Sequence, residues 1–267
     1  MKGRITGKVT LWGCALLIFL ASGNAMAAVV PDPQIKADLQ VVFDDTVEVK
    51  GYPYQESLAA AADKYKLPLP FVLAVVRGES FFDPNSKSSK GALGLMQVMP
   101  STAADYGLNA NDLLNTAKNI DVGVHYLADL YARVQDPYLT LGAYYCGCGG
   151  VDKEDVTLRK DCDEYVRYIH THLTKILASA TGKGPAVTGK ERNFVLTGFD
   201  NFLDAENFLK YLSQVLPQLR LDLFRREVVY KDHTRYQYQI LVTYVQKGEK
   251  GKICREVEKA TGFSFCR

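Results

Sequence analysis

Apolar residues recur along the first two thirds of the chain at helical spacing. From Tyr54 to Lys66, Leu58, Ala61, Ala62 and Tyr65 fall on one face, which predicts an amphipathic helix. Leu69 or Pro70 opens a second, more apolar helix, since proline at a first helical position gives up only an N–H that would have no partner there. That helix carries Glu79 near its end, and Pro84 forbids its continuation. A polar loop through Ser86, Ser88 and Lys90 follows, with Gly91 and Gly94 able to turn tightly. An apolar segment, Leu95 to Met99, leads to Pro100 and a short helix, Thr102 to Tyr106, ended by Gly107. Asp112 to Asn115 reads as a turn. A long helix is predicted over Thr116–Val134, with Ile120, Val124, Leu127 and Tyr131 on one face, and another over Asp163–Ala180, with Tyr165, Val166, Ile169, Leu173 and Ile176 inward. Ahead of these, residues 28–53 form a lead-in broken by Pro31 and Pro33, where the β-branched run Val41–Val49 predicts a short strand.

The period changes after residue 180. Residues 181–193, TGKGPAVTGKERN, combine Gly, Pro, Thr and charge without apolar rhythm and read as a linker. Phe194–Gly198 is strand-like, and Leu203–Leu216 is a helix stopped by Pro217. Leu219–Tyr230 and Arg235–Val245 alternate as a hairpin turning at Lys231–Thr234. Lys252–Ala260 is a helix and Phe263–Arg267 a last strand. The order β-α-β-β-α-β predicts a small ferredoxin-like sandwich over 194–267, so the fold class is α+β. Tyr230, Tyr236, Tyr238 and Tyr244 lie at strand period, where cross-strand packing is the ordinary use of tyrosine.

Composition sharpens this picture at three points. Residues 1–27 have a basic start (Lys2, Arg4, Lys8), an apolar stretch from Leu11 to Ala21 and the small-residue site Ala25-Met26-Ala27, the pattern of a secretory signal. The apolar stretch is short for a membrane span, so no stable span is expected after cleavage. Loss of three basic residues and no acid takes the formal charge from +2 to −1, of which residues 190–267 hold +4 and residues 28–189 hold −5. Five cysteines remain: Cys146, Cys148, Cys162, Cys254 and Cys266. Export makes disulfides reasonable, Cys254 with Cys266 and Cys162 with Cys146 or Cys148. Cys-x-Cys without a second cluster is poor zinc spacing, so no metal is expected.

The most informative stretch is Val72–Ala104, an acid at a helix end followed by aromatics, methionines and a glycine loop. It resembles the lytic transglycosylases of the soluble-lytic-transglycosylase (SLT) type. Glu79, Ser80, Phe82, Pro84, Ser88, Gly91, Ala92, Gly94, Leu95, Met96, Gln97, Met99, Pro100, Thr102 and Ala103 fall in register with the pattern E-S-x-F-x-P-x-A-x-S-x-x-G-A-x-G-L-M-Q-x-M-P-x-T-A, with Ser86 at a usual Ala. Asn119, Ile120, Gly123, Tyr126, Leu127 and Leu130 resemble the family's second block. In Leu141–Val151, Tyr144 matches the tyrosine near the acid, whereas Tyr145 replaces the usual Asn and Cys146 and Cys148 replace Ala and Pro. Tyr165 and Val166 match the closing helix, with Asp161 at a Glu position. The resemblance covers residues 55–177 and implies a mainly α-helical, lysozyme-like catalytic domain over 54–180.

The resemblance also implies a chemistry. Glu79 would protonate the bridging oxygen between N-acetylmuramic acid and N-acetylglucosamine in peptidoglycan and then, as base, help close a 1,6-anhydro ring. The aromatic and methionine wall would hold its carboxyl protonated. Ser80, Met96, Gln97, Tyr144, Tyr145 and Tyr165 are the expected substrate-binding residues. A single matched carboxylate fits substrate-assisted cleavage, an exception to the usual pair; Asp83 reads as a loop acid. No cofactor or nucleic acid is expected. The expected partners are glycan strands and, through the C-terminal region, a cell-envelope protein; the expected location is the periplasm or envelope. A lysozyme-like hydrolase and a non-catalytic wall-binding scaffold are the competing readings.

Overall fold

The computed structural model describes residues 28–180, 192–229, 234–246 and 248–265, so the signal sequence, most of the linker, the hairpin turn and Cys266 lie outside the described residues. Pro33 sits in the first turn of α1 (Pro33–Asp44), where Asp32 caps by accepting the Gln34 N–H at 2.9 Å. This helix corrects the expectation of a strand over Val41–Val49: Ile35, Leu39 and Val42 recur at helical spacing and all three are buried, and the β-branched pair Val41-Val42 is only the end of that pattern. The lead-in is therefore part of the core.

α2 (Gln55–Tyr65) and α3 (Leu69–Ser80) follow as expected, α3 buried on almost every side. Helix α4 (Pro100–Asp105) opens at Pro100 and stops one residue short of Tyr106, its predicted end. Residues 112–114 form one 3₁₀ turn, and Asn115 caps α5 (Thr116–Val134) by accepting the Lys118 N–H at 3.1 Å. Asp136 does the same for α6 (Pro137–Cys146), accepting from Leu139 at 3.0 Å. α7 (Lys160–Ala180) runs three residues further at its start than its apolar period shows. Of the two partners expected for Cys162, Cys146 is the one bonded: the disulfide joins the end of α6 to the start of α7. A small sheet that the sequence did not signal, β1 (Ala28–Val29), β2 (Val151–Asp152) and β3 (Thr157–Arg159) in antiparallel order β1-β3-β2, ties residues 28–29 to the α6–α7 connection.

Beyond the linker, β4 (Arg192–Phe199), α8 (Phe202–Val215), β5 (Arg220–Val229), β6 (Thr234–Tyr244) and α9 (Glu249–Thr261) form a three-stranded antiparallel sheet of order β4-β6-β5 with two helices. Tyr238, Ile240 and Val242 of β6 are buried together with Leu221 and Leu223 of β5 and with Phe202, Leu209, Leu212, Ile253 and Val257 of the helices. Strand β4 starts at Arg192, two residues inside the predicted linker. The predicted final strand is corrected over its described part: Phe263–Phe265 is irregular, with Phe263 exposed and Phe265 5.3 Å from the ring of Phe208. The helical and C-terminal parts share one continuous apolar cluster, from Ile35 to Val257.

Candidate active site

Helix α3 ends abruptly. Phe81 and Phe82 both take left-handed backbone conformations, φ +52° and +64°, and the Phe81 N–H closes the helix on the Arg77 carbonyl at 3.0 Å. Two consecutive bulky residues in that region are costly and persist only where packing over-determines them. Phe81 lies edge-on to His172 (5.4 Å) and Phe224 (5.0 Å), and Phe82 lies beside Tyr52 (6.0 Å). Glu79 is thereby fixed in the last helical turn, where the negative end of the helix dipole disfavours its ionised form.

The Glu79 side chain is only 10% exposed. Tyr165 of α7 donates its hydroxyl to Oε1 at 2.6 Å, and the Arg225 guanidinium of β5 stands 3.9 Å from Oε2. Burial pushes the Glu79 carboxyl above its ordinary value; Arg225 and the Tyr165 hydroxyl pull the other way without cancelling it. The tyrosines respond in kind: burial, then the adjacent Glu79 charge, drives the hydroxyls of Tyr144 and Tyr165 well above 10, so both stay protonated donors.

The loop after α3 is built as a separate support. Leu93 bridges both Lys87 and Val98, and Gly91 and Gly94 turn at φ +90° and +76°. Asn119 of α5, fully buried, is its hub. Its Oδ1 accepts the Met96 N–H at 2.9 Å, and its Nδ2 donates to the carbonyls of Leu93 (2.8 Å) and Leu113 (3.2 Å). A Cβ at Gly94 would collide with the Asn119 amide, so close approach requires glycine there.

The predicted site residues divide into two groups. Tyr165 touches Glu79 directly. Tyr145 stacks flat on Tyr165, centroids 4.7 Å apart and 9° between planes. Tyr144 lies close enough to feel the Glu79 charge and donates its hydroxyl to the Met96 carbonyl at 2.7 Å. Ser80, Met96 and Gln97 are placed differently. The Ser80 hydroxyl is buried and donates back to Val76 O at 3.2 Å within its own helix. Met96 points inward against Gly123, which is fully occupied by its side chain, so it does not line a cleft. Gln97, at φ +46°, donates Nε2 to Ser86 O (3.0 Å) and Gly94 O (2.9 Å) and so braces the loop. Asp83 is an exposed loop acid that accepts the Asn85 N–H at 2.9 Å. The nearest thing to a metal cluster among the described residues is Cys146, Asp161 and Cys162, two of which are joined as the disulfide.

Sequence reasoning missed Arg225, Tyr168 and the part played by Tyr236. The Arg225 guanidinium carbon lies 4.8, 4.9, 5.3 and 4.4 Å from the ring centroids of Tyr145, Tyr165, Tyr168 and Tyr236. A signal existed: Leu221 and Leu223 set the inward register of β5, and Arg225 continues it with a charge. A charge at an inward position demands a partner.

A buried, tyrosine-bonded glutamate at a helix end, with a glycine loop folded beside it, thus sits within the mainly helical part of the chain. Residues 56–162 match the family model described as the Transglycosylase SLT domain. The chain is 31% identical over 150 residues to the membrane-bound lytic murein transglycosylase C of Histophilus somni, covering 48% of this chain and 41% of that protein. It is 29% identical over 159 residues to the protein of the same description from Haemophilus influenzae, covering 51% of this chain and 44% of that one. The chain thus spans about two fifths of the length of these curated relatives. Among solved structures, the soluble lytic transglycosylase SLT70 of Escherichia coli aligns with 49% of this chain and 25% of its own at 24% identity and a TM-score of 0.42.

Proposed function

We propose that the protein is a peptidoglycan lytic transglycosylase of the cell envelope, with Glu79 as general acid and then general base. The observation that carries this reading is the Glu79 carboxyl itself. It is buried in the last turn of α3, held by the Tyr165 hydroxyl at 2.6 Å, and pushed by burial toward the protonated form that a proton donor needs. In the first step the proton of Glu79 passes to the oxygen bridging N-acetylmuramic acid and N-acetylglucosamine. That C–O bond breaks, and the substrate's acetamido oxygen supports the developing cation. In the second step the Glu79 carboxylate takes the proton of the muramoyl C6 hydroxyl, whose oxygen closes the 1,6-anhydro ring. The Tyr165 hydroxyl supports the carboxylate between the two steps. The half-buried ring of Tyr145, stacked on the buried Tyr165, is the aromatic surface for sugar, with Tyr144 buttressing the loop.

The test is mass spectrometry of the products released from purified sacculi. Anhydromuramoyl products, lighter than hydrolysis products by one water, are expected from the wild type. Glu79→Gln is expected to lower release by about 10²–10⁴-fold. Because the site favours a neutral group at position 79, Glu79→Gln is also expected to unfold at neutral pH no earlier than the wild type. Equal release by the two proteins would remove Glu79 from the chemistry, and products carrying an added water would make the enzyme a hydrolase.

A further inference from the structure

Strand β5 meets the helical part along its outer edge, the edge that β6 does not pair. The Lys175 ammonium of α7 donates to the Leu221 carbonyl at 2.6 Å, and the Arg225 N–H donates to the Tyr168 hydroxyl at 3.3 Å. Asp222 accepts from Arg77 at 2.7 Å and from Lys175. Phe224 packs edge-on against Phe81, and the Ser89 N–H donates to Glu227 Oε2 at 2.5 Å. These contacts grip α3, α7 and the glycine loop, the three elements that surround Glu79. From the middle of the strand Arg225 reaches the acid, and its side chain is 7% exposed.

We propose that the β5–β6 sheet is an autoinhibitory plug, seated in the glycan cleft with the Arg225 guanidinium occupying the carboxyl of Glu79 and the tyrosine faces that a sugar would take. The inference rests on the reading of Glu79 as the proton donor. Three observations carry it. A bridging oxygen must come within hydrogen-bond reach of the carboxyl, yet Oε1 is bonded to Tyr165, Oε2 faces Arg225, and the side chain is nearly enclosed. A guanidinium beside a carboxyl favours its ionised form, the opposite of what proton donation needs. The planar cation lies among the rings of Tyr145 and Tyr165 from the helical part and Tyr236 from the sheet, so sugar and arginine compete for the same faces. Catalysis then requires β5 to lift from α3 and α7, and the closed form reduces apparent glycan affinity by the fraction of molecules that are open.

The experiment uses the full chain and two variants that loosen the seat without touching Glu79, Asp222→Ala and Glu227→Ala, which remove its grips on α3 and α7 and on the glycine loop. Calorimetric binding of an N-acetylglucosamine tetramer is measured beside muropeptide release from sacculi, with thermal unfolding as a check on folding. Both variants are expected to bind the tetramer about tenfold more tightly and to release product about tenfold faster, the factor given by a shift of roughly 1.4 kcal/mol in the closed–open equilibrium. In the wild type, hydrogen exchange of the 220–229 amides should accelerate when the tetramer is bound. This readout stays valid if a variant fails to fold. Tighter tetramer binding without release from any form would keep the plug and refute the proposed activity. Unchanged or weaker tetramer binding by folded variants, or unchanged exchange in 220–229 at saturating tetramer, would overturn the plug.

Discussion

At the scale of single residues, the acid is tuned by opposing neighbours. Burial raises the Glu79 carboxyl, whereas Arg225 and the Tyr165 hydrogen bond lower it. Tyr165→Phe removes one of the lowering contacts and one support of the carboxylate. The limb of the pH–rate profile that reports Glu79 is therefore expected to move to higher pH, with the maximal rate of muropeptide release down by about tenfold, the factor that loss of one hydrogen bond of roughly 1.4 kcal/mol gives. A limb that stays in place would mean that the 2.6 Å contact does not act on the acid. His172 has a different character. Burial, reinforced by the Arg77 charge, drives its imidazole well below 6.5, so it is neutral at physiological pH and its Nδ1 accepts from Arg77 at 2.6 Å. The motif spelled out the acid and Tyr165, because local spacing places a helix end and a facing helix. It did not show that Ser80 and Met96 turn inward. Their direction depends on Val76 O and Gly123, partners that lie on a helical turn and on a distant helix.

At the scale of elements, one polar side chain organises the loop beside the acid. Asn119 satisfies Met96, Leu93 and Leu113 from within α5, in a site with no exposure. Asn119→Ala would leave three buried backbone groups without these partners. A loss of about 1–3 kcal/mol is expected in denaturant unfolding, together with faster proteolysis near Gly94. A variant as stable as the wild type would show that the loop holds itself through Gln97 and the bridges at Leu93. Helix and strand periods were readable in α2, α5, α7 and the β5–β6 pair, which bury one face, and α3 followed from its proline start and apolar run. The failures have a common cause. The run Val41–Val49 was weighed by β-branching, while the helix it belongs to was specified by Ile35 and Leu39 further upstream. The sheet β1-β3-β2 consists of strands of two or three residues, too short to carry any period.

For the whole molecule, the decisive relation is between the helical part and the C-terminal sheet, and no local pattern encodes it. Only the charge of Arg225 in an apolar register hinted that something faced it. The join is held electrostatically at Asp222. Burial opposes its ionisation, but the charges and hydrogen bonds of Lys175 and Arg77 outweigh that and hold the carboxyl well below the usual carboxylate range. A depressed carboxyl contributes stability that is complete above its ordinary value of 3.8 and is lost as pH falls through the folded value. Acidification from pH 5 to about pH 2 is therefore expected to weaken the grip of the sheet on α3 and α7, read as lower protection factors of the 220–229 amides (exchange relative to the intrinsic rate at each pH) in wild type and a flat response in Asp222→Asn. Matching acid responses in the two proteins would assign the effect to other carboxyls. The outer edge of β5 has one more consequence. Two of its main-chain groups, the Leu221 carbonyl and the Arg225 N–H, are occupied by Lys175 and Tyr168, side chains of another part of the same molecule. Any event that lifts the strand leaves a ready template for backbone pairing, so an activated molecule must promptly bury that seam against a partner or another copy of itself, or reseat it.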